Sequence, residues 1–280
     1  MRHKSKTCSL EAKFPLLAVE QACLISKDAD ITVAFRVELP ELFTVTSAEY
    51  EAMHSAWHKA IKVLPNFSIV HKQDWFISEE YQGKLSEGEL SFLARSSERH
   101  FNERPYLKHS VYLFLTKSNR KRMAQQSNFS VLCRGRLVPK EIEDKDAVIK
   151  FMEAVDQFER IINDTLLLRL ERMTEDELVG TADRPGLLDR YFSLSEEGHA
   201  SLEDIQLGAD LVRVGDHRLC LHTLSDTEDL PTRVSTDGRY ERLSTDRSDC
   251  RLSFASPVGL LLSCNHIYNQ YLFIEDSDAT

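Results

Sequence analysis

The first thing missing is a loop that could grip a phosphate. Neither G-x-G-x-x-G nor G-x-x-x-x-G-K-[ST] occurs, and Gly83-Lys84 lacks both the upstream glycine and the following hydroxyl residue that let backbone amides close on an anion. Nucleotide hydrolysis therefore has no local foundation in these residues. Glycine and proline are scarce, ten and eight among 280 residues, which excludes collagen and low-complexity tracts. Cysteine is thin as well. Cys8, Cys23, Cys133, Cys220, Cys250 and Cys264 are spread along the chain with no C-x-x-C pair, so they support neither a disulfide framework nor a zinc knuckle and read as reduced thiols. The most apolar run, Pro257 to Cys264, falls far short of the roughly 18 residues that span a bilayer. Met1 to Lys6 is basic, but the apolar stretch behind it, Phe14 to Val19, is too short to direct secretion. The sequons at Asn66, Asn128 and Asn163 consequently carry no glycosylation signal, and a cytoplasmic location is expected.

Apolar residues, at 42%, and charged residues, at 29%, make a folded chain with a sizeable core, and the length is a prior for two domains. The charge, 35 basic minus 45 acidic or −10, argues against a nucleic-acid binder that is positive all over. It is unevenly spread. Residues 1–140 hold 21 Lys/Arg against 15 Asp/Glu (+6), and residues 141–280 hold 14 against 30 (−16).

Periodicity supplies the organisation. Gln21–Ser26 and Ile31–Leu39 flank the polar Lys27-Asp-Ala-Asp30, and Ile31, Val33, Phe35 and Val37 alternate with Thr32, Ala34 and Arg36, which predicts a hairpin with one buried face. Thr46-x-x-Glu49 has the capping-box form, and Met53, Ala56/Trp57, Ala60/Ile61 and Leu64 keep helical spacing up to Pro65. Phe67–Ile77 reads as a strand. Ser86-x-x-Glu89 opens a second helix with Leu90, Leu93/Ala94 and Phe101 on its apolar side, ending before Pro105, and His109–Thr116 is another strand. Asp144–Leu170 predicts one long helix covering the sheet, followed by a short helix from Thr174-x-x-Glu177 to Gly180.

These elements predict an α+β fold, a mixed or antiparallel sheet with helices on one face in the order β-β-α-β-α-β-α, over residues 1–183. A smaller, strand-rich acidic region is expected over residues 184–280. There, Asp210–Val214 and Leu219–Leu224 flank Gly215-Asp216 as a hairpin, Asp226–Arg251 is a polar loop with a turn at Asp237-Gly238, and Val258–Cys264 and Ile267–Ile274 are expected as buried strands.

No complete catalytic constellation is legible. His54-x-x-x-His58 has the spacing of a zinc protease helix, but Ser55 stands where the general-base glutamate belongs, so both histidines read as surface or half-buried groups. Cys220-x-His222 and Cys264-x-His266 read as packing thiols rather than ligands, because a C-x-H step in a strand lacks the usual loop geometry. No G-x-S-x-G elbow locates a nucleophile, and Glu79-Glu80 and Glu196-Glu197 read as solvated charge. The feature with most content is a basic group: Lys117, Arg120, Lys121 and Arg122 directly after a strand, joined by Arg134, Arg136 and Lys140. Converging in space, these would suit an acidic protein, anionic headgroups or a nucleic-acid backbone, the last weakened by the absence of interleaved aromatics. No catalytic, cofactor-binding or metal residue is assigned.

Several segments resemble one family. Phe14-Pro-Leu-Leu-Ala-Val-Glu20, Ile25-Ser-Lys-Asp-Ala-Asp-Ile-Thr-Val-Ala-Phe-Arg-Val-Glu-Leu-Pro40, His71-Lys-Gln-Asp-Trp-Phe76, Arg99-His-Phe-Asn-Glu-Arg-Pro105, Phe158-Glu-Arg-Ile-Ile-Asn-Asp164 and His266-Ile-Tyr-Asn-Gln-Tyr-Leu-Phe-Ile-Glu-Asp276 resemble the amino-terminal region of TraG-family conjugative-transposon ATPases. The resemblance implies a type IV secretion machine that moves DNA between bacteria, with the ATPase at the cytoplasmic mouth of the inner-membrane channel. In that family the P-loop and the acidic Mg²⁺ site lie in a carboxy-terminal domain, and no position here matches them. The expectation is therefore an accessory domain without turnover, peripheral at the inner membrane, that docks the motor on channel components and contacts its own ATPase domain. ATP and Mg²⁺ are expected only in the carboxy-terminal domain. Two further readings stay open on the residues: a truncated NTPase that still binds nucleotide, and a DNA-contacting domain that uses the basic group.

Overall fold

The computed structural model describes residues 9, 14–40, 45–81, 91–118, 145–194, 205–208, 211–223 and 264–274. The fold is α+β. Strands β1 (Leu16–Glu20), β2 (Cys23–Ser26), β3 (Ile31–Glu38), β4 (Ser68–Glu79), β5 (Tyr106–Lys117), β6 (Arg169–Arg172) and β10 (His266–Phe273) form a seven-stranded sheet. Its order is β1-β2-β3-β5-β4-β10, with β6 paired to β3, and the β1–β2, β2–β3, β3–β5 and β3–β6 ladders are antiparallel. One edge of β3 is taken by β5; β2 lies along Ile31–Val33 and β6 along Phe35–Glu38 of the other. A second sheet holds β7 (Ile205–Leu207), β8 (Val212–Val214) and β9 (His217–Leu219). The chain forms two compact units, each built from separated stretches: Met1–Gln73, Val111–Leu178 and Asn269–Thr280 make one, Asp74–Ser110 and Val179–Tyr268 the other.

In the first unit, helices α1 (Ser47–Val63) and α3 (Lys145–Asn163) cover the sheet. Thr46 caps α1 as its sequence predicts, with the Thr46 side chain accepting from the Glu49 amide and the Glu49 carboxylate accepting from the Thr46 amide. Leu64 turns extended before Pro65 and ends the helix. Val33, Phe35 and Val37 of β3, Val70 of β4, and Val111, Leu113 and Leu115 of β5 meet Ala56 and Ala60 of α1 and Phe151, Val155, Phe158 and Ile162 of α3. The alternation of β3 is thus realised, although Ala34 on the opposite face is fully buried too.

Three elements depart from expectation. The expected hairpin forms, β2 pairing antiparallel with β3 around Lys27–Asp30, but an unannounced one precedes it: β1–β2, turned at Gln21 and Ala22 with φ of 51° and 60°, a left-handed pair that these two residue types do not signal. Helix α3 stops at Asn163 rather than reaching Leu170. The Asn163 amide reaches seven residues forward, accepting from the Leu170 N–H at 2.7 Å and donating to the Leu170 carbonyl at 3.1 Å, and Leu166 turns left-handed at φ 57°. Arg169–Arg172 is thereby released as strand β6. The second helix, α2 (Phe92–Asn102), is N-capped by Ser91 and buries none of its residues; the expected Ser86-x-x-Glu89 cap lies outside the described residues.

Helix α4 (Glu175–Val179) ends at Gly180, its residues up to Leu178 belonging to the first unit, and α5 (Leu187–Ser193) follows Gly186 in the second. Thr174 and Glu177 exchange the reciprocal capping bonds read from their spacing. The Gly215-Asp216 turn joins β8 to β9, and the Asp226–Arg251 loop and the Val258–Cys264 run (Cys264 apart) lie outside the described residues. Strand β10 forms where expected, but not as a buried strand: it ends the sheet order, and Tyr271, Leu272 and Phe273 are exposed because only β4 flanks it among the described residues. Among the described residues no helix is long and apolar enough to cross a membrane.

Candidate functional site

Of the seven basic residues singled out from sequence, the structure describes Lys117 alone. It closes β5 opposite Ile31 and is partly exposed. Arg120, Lys121, Arg122, Arg134, Arg136 and Lys140 lie outside the described residues.

The other candidates are placed more fully. His54 and His58 both lie exposed along α1. Cys220 and Cys264 are exposed rather than packed, one just past β9 and the other in the bend before β10. His266 donates from Nδ1 to the Cys264 carbonyl at 3.0 Å, which turns the C-x-H step into a local backbone tie. Cys23 is half-buried, and burial pushes its thiol up, with the Arg172 charge pulling part of the way back. Such a thiol is a poor nucleophile at neutral pH. No group of three or more His, Cys, Asp or Glu among the described residues is arranged to hold a metal ion.

The groups that do converge lie on β4 and its neighbours. In the first unit, the Asn269 carbonyl oxygen of β10 accepts from His71 Nε2 and from Gln73 Nε2, both at 2.9 Å. The His71 ring stacks on Tyr271 at 4.1 Å between centroids and lies 5.3 Å from Phe114 of β5. Because the amide oxygen can only accept, His71 carries its proton on Nε2. In the second unit, His109 Nε2 donates to Asp74 Oδ1 at 2.9 Å, and the Phe76 ring is stacked on His109 at 4.6 Å and on His266 at 4.8 Å. Nearby, Glu79 accepts from the Tyr106 hydroxyl at 2.9 Å and from Lys108 at 3.0 Å. Asn265 accepts from the Ser78 amide and donates to the Leu194 carbonyl.

Asp74–His109 is the carboxylate–imidazole pair that could orient a general base. Among the described residues no hydroxyl or thiol bonds to that imidazole, and no nucleophile is assigned to the pair. Its structural consequence is clear: it links β4 to β5, as Phe76 and His266 link β4 to β10. The first unit adds two charged ties of the same kind. Arg36 bonds Glu177 at 2.6 Å, and the Thr174 amide and then Arg36 hold that carboxyl below its usual range. Arg172 bridges Asp156 and Glu159, each at 2.7 Å, and lies 5.6 Å over the Phe35 ring.

Burial holds the His71 imidazole below its ordinary value of 6.5, the Asn269 bond opposing in part. The unfolded chain therefore takes up this proton first. The stability due to neutral His71 is complete above pH 6.5 and is lost as pH falls from there toward the lower folded-state value. Urea unfolding at about pH 7.5 and about pH 5 should show a smaller acid loss for His71→Gln, which can still donate to Asn269, than for the parent. Equal acid losses would show that His71 does not titrate in this way.

None of this network follows a local motif; its only advance signal is that His71–Phe76 and His266–Asp276 are among the segments that carry the family resemblance, and here they interlock, with His71 and Asn269 198 positions apart. No curated protein matches the chain. A sequence-family model, DUF3875, described as a domain of unknown function from a B. Theta gene description, matches residues 3–55, a stretch that takes in β1, β2, β3 and the first part of α1.

Proposed function

We propose that this chain is a docking domain of a TraG-like conjugation ATPase, without turnover of its own, that assembles the motor on the inner-membrane channel of a type IV secretion system. ATP and Mg²⁺ belong, in this reading, to a carboxy-terminal motor domain. The observation that carries it is the β4–β10 interlock: two of the segments that carry the resemblance meet through His71, Gln73, Asn269 and Tyr271, as parts of one scaffold would. Exposed apolar side chains on α2 and β10 add the kind of surface that a docking module needs.

Site-specific cross-linking in cells that carry the transfer apparatus tests this reading. The chain should cross-link to inner-membrane channel components, and reversing the charges of Arg120, Lys121 and Arg122 should reduce that recruitment. Saturable MgATP binding by the purified chain would favour the truncated-NTPase reading, and salt-sensitive DNA binding would favour the nucleic-acid one. Either result, without channel cross-links, overturns the docking reading.

A further inference from the structure

The small sheet β7-β8-β9, which lies wholly within the second unit, separates its chemistry by face. Its register sets the side chains in three rows across the strands. Directly opposite residues share a face, and successive residues alternate between faces. The middle row is Gln206, Arg213 and Arg218, all exposed. The outer rows fall on the other face and are apolar apart from His217: Ile205 with Val214, and Leu207 with Val212 and Leu219. Leu207, and Leu221 just past β9, are each 80% exposed. Three strands of three residues are marginal by themselves, and among the described residues nothing extends this sheet.

Arg213 and Arg218 stand directly opposite each other, a like-charge pair that costs stability unless an anion bridges it. Residues 141–280 hold 14 Lys/Arg against 30 Asp/Glu, yet neither arginine makes an ion pair among the described residues, and the turn carboxylate, Asp216, bonds neither. The edge beside them is open as well. Val214 and His217 close the two-residue turn as a bonded pair, so the N–H groups of Arg218 and Cys220 face away from β8. Nothing among the described residues pairs with them.

We propose that β9 is the receiving edge for a strand of an acidic partner protein in which carboxylates and apolar side chains alternate. Beside β9, one set of its side chains meets Arg213 and Arg218 and the other meets Leu219 and Leu221, while its backbone accepts from the Arg218 and Cys220 amides. Arg213 lies one strand further in, and its stem is long enough to cross the roughly 4.8 Å between strands. A free anion would satisfy the arginines and leave the apolar face and the edge in water. A second copy of β9 would set arginine beside arginine. Charge and alternation together therefore select an acidic strand. This surface goes beyond the docking reading and does not depend on it.

Fluorescence anisotropy of a labelled peptide of about seven residues, glutamate alternating with valine, tests the proposal on the full chain. The peptide should bind saturably. The double variant Arg213→Glu, Arg218→Glu exchanges two attractions for two repulsions and should weaken binding about tenfold or more, and a peptide with lysine in place of glutamate should bind that variant and not the parent. Amide exchange at Arg218 and Cys220 should slow when the glutamate peptide binds. The proposal is overturned if the peptide does not bind, if the double variant binds it as well as the parent, or if exchange at those two amides is unchanged. It is equally overturned if a peptide with its glutamates and valines in separate blocks, a single-stranded oligonucleotide or phosphatidylglycerol vesicles bind as tightly through the same arginines, since any anion would then serve. A lower melting temperature of the free double variant would overturn it too, by showing that carboxylates of this chain already hold the pair. Channel cross-links without peptide binding reject the strand site alone, whereas peptide binding without cross-links rejects the docking reading alone.

Discussion

Replacing Phe158 by alanine should lower the unfolding free energy by about 3–5 kcal/mol, measured as a lower urea midpoint at unchanged slope. The ring is fully buried in the C-terminal half of α3 and stands edge-on to Trp57 of α1, 5.7 Å between centroids at 72°. It therefore joins the two helices to each other as well as to the sheet. Alanine removes the apolar area and leaves a void that Val155 and Ile162, themselves fully buried on the same helix, cannot fill without leaving their own contacts. Leu166→Ala supplies the contrast: four-fifths or more of that side chain is already in water, and its loss should stay within about 0.5 kcal/mol. A Phe158→Ala loss below about 1 kcal/mol would mean that α3 does not pack on α1 as described.

Gly180→Ala should cost about 2 kcal/mol or more, for a reason unrelated to hydrophobic burial. Gly180 has φ +95°, and a Cβ there would lie 2.5 Å from the Gly186 amide nitrogen and 2.9 Å from the Arg184 carbonyl oxygen. Both obstacles are backbone, and neither can swing aside. The Thr181 and Arg184 amides and carbonyls close this turn on each other at 2.8 and 3.3 Å, and Asp189 accepts from the Gly186 amide at 3.3 Å to start α5. The substitution should raise hydrogen exchange across 181–190 and lower the melting temperature. At Gly215, with φ +57°, asparagine should be tolerated at a few tenths of a kcal/mol, because that region of backbone space admits it. A neutral Gly180→Ala would show that the turn is not as tight as these distances require.

The accuracy of the sequence reading follows the range of the interactions involved. The caps at Thr46 and Thr174, the stop before Pro65 and the Gly215-Asp216 turn all depend on groups within four residues of one another, and each forms where its motif stands. The end of α3 does not. Its apolar spacing continues through Leu166, and the helix is broken by an asparagine that bonds seven residues ahead, a competition between side chain and helix that periodicity does not record. Strand β6 is hidden for the same reason. The β4–β10 network is farther still from any local signal: nothing near His71 indicates that Asn269 will satisfy it.

The amino-acid sequence determined the α+β class, the alternation that aims Val33, Phe35 and Val37 at the core, and the helix boundaries held by caps and proline, because each is set by covalent neighbours and by the period of the backbone. Tertiary structure decided which apolar faces are covered. Equal amphipathicity sent α3 into the core and left Phe92 and Leu93 of α2 in water, and an aromatic strand at Tyr271–Phe273 ended at the edge of the sheet order. Periodicity states that a face is apolar; burial requires a second surface, and that surface is supplied by residues far away in the chain.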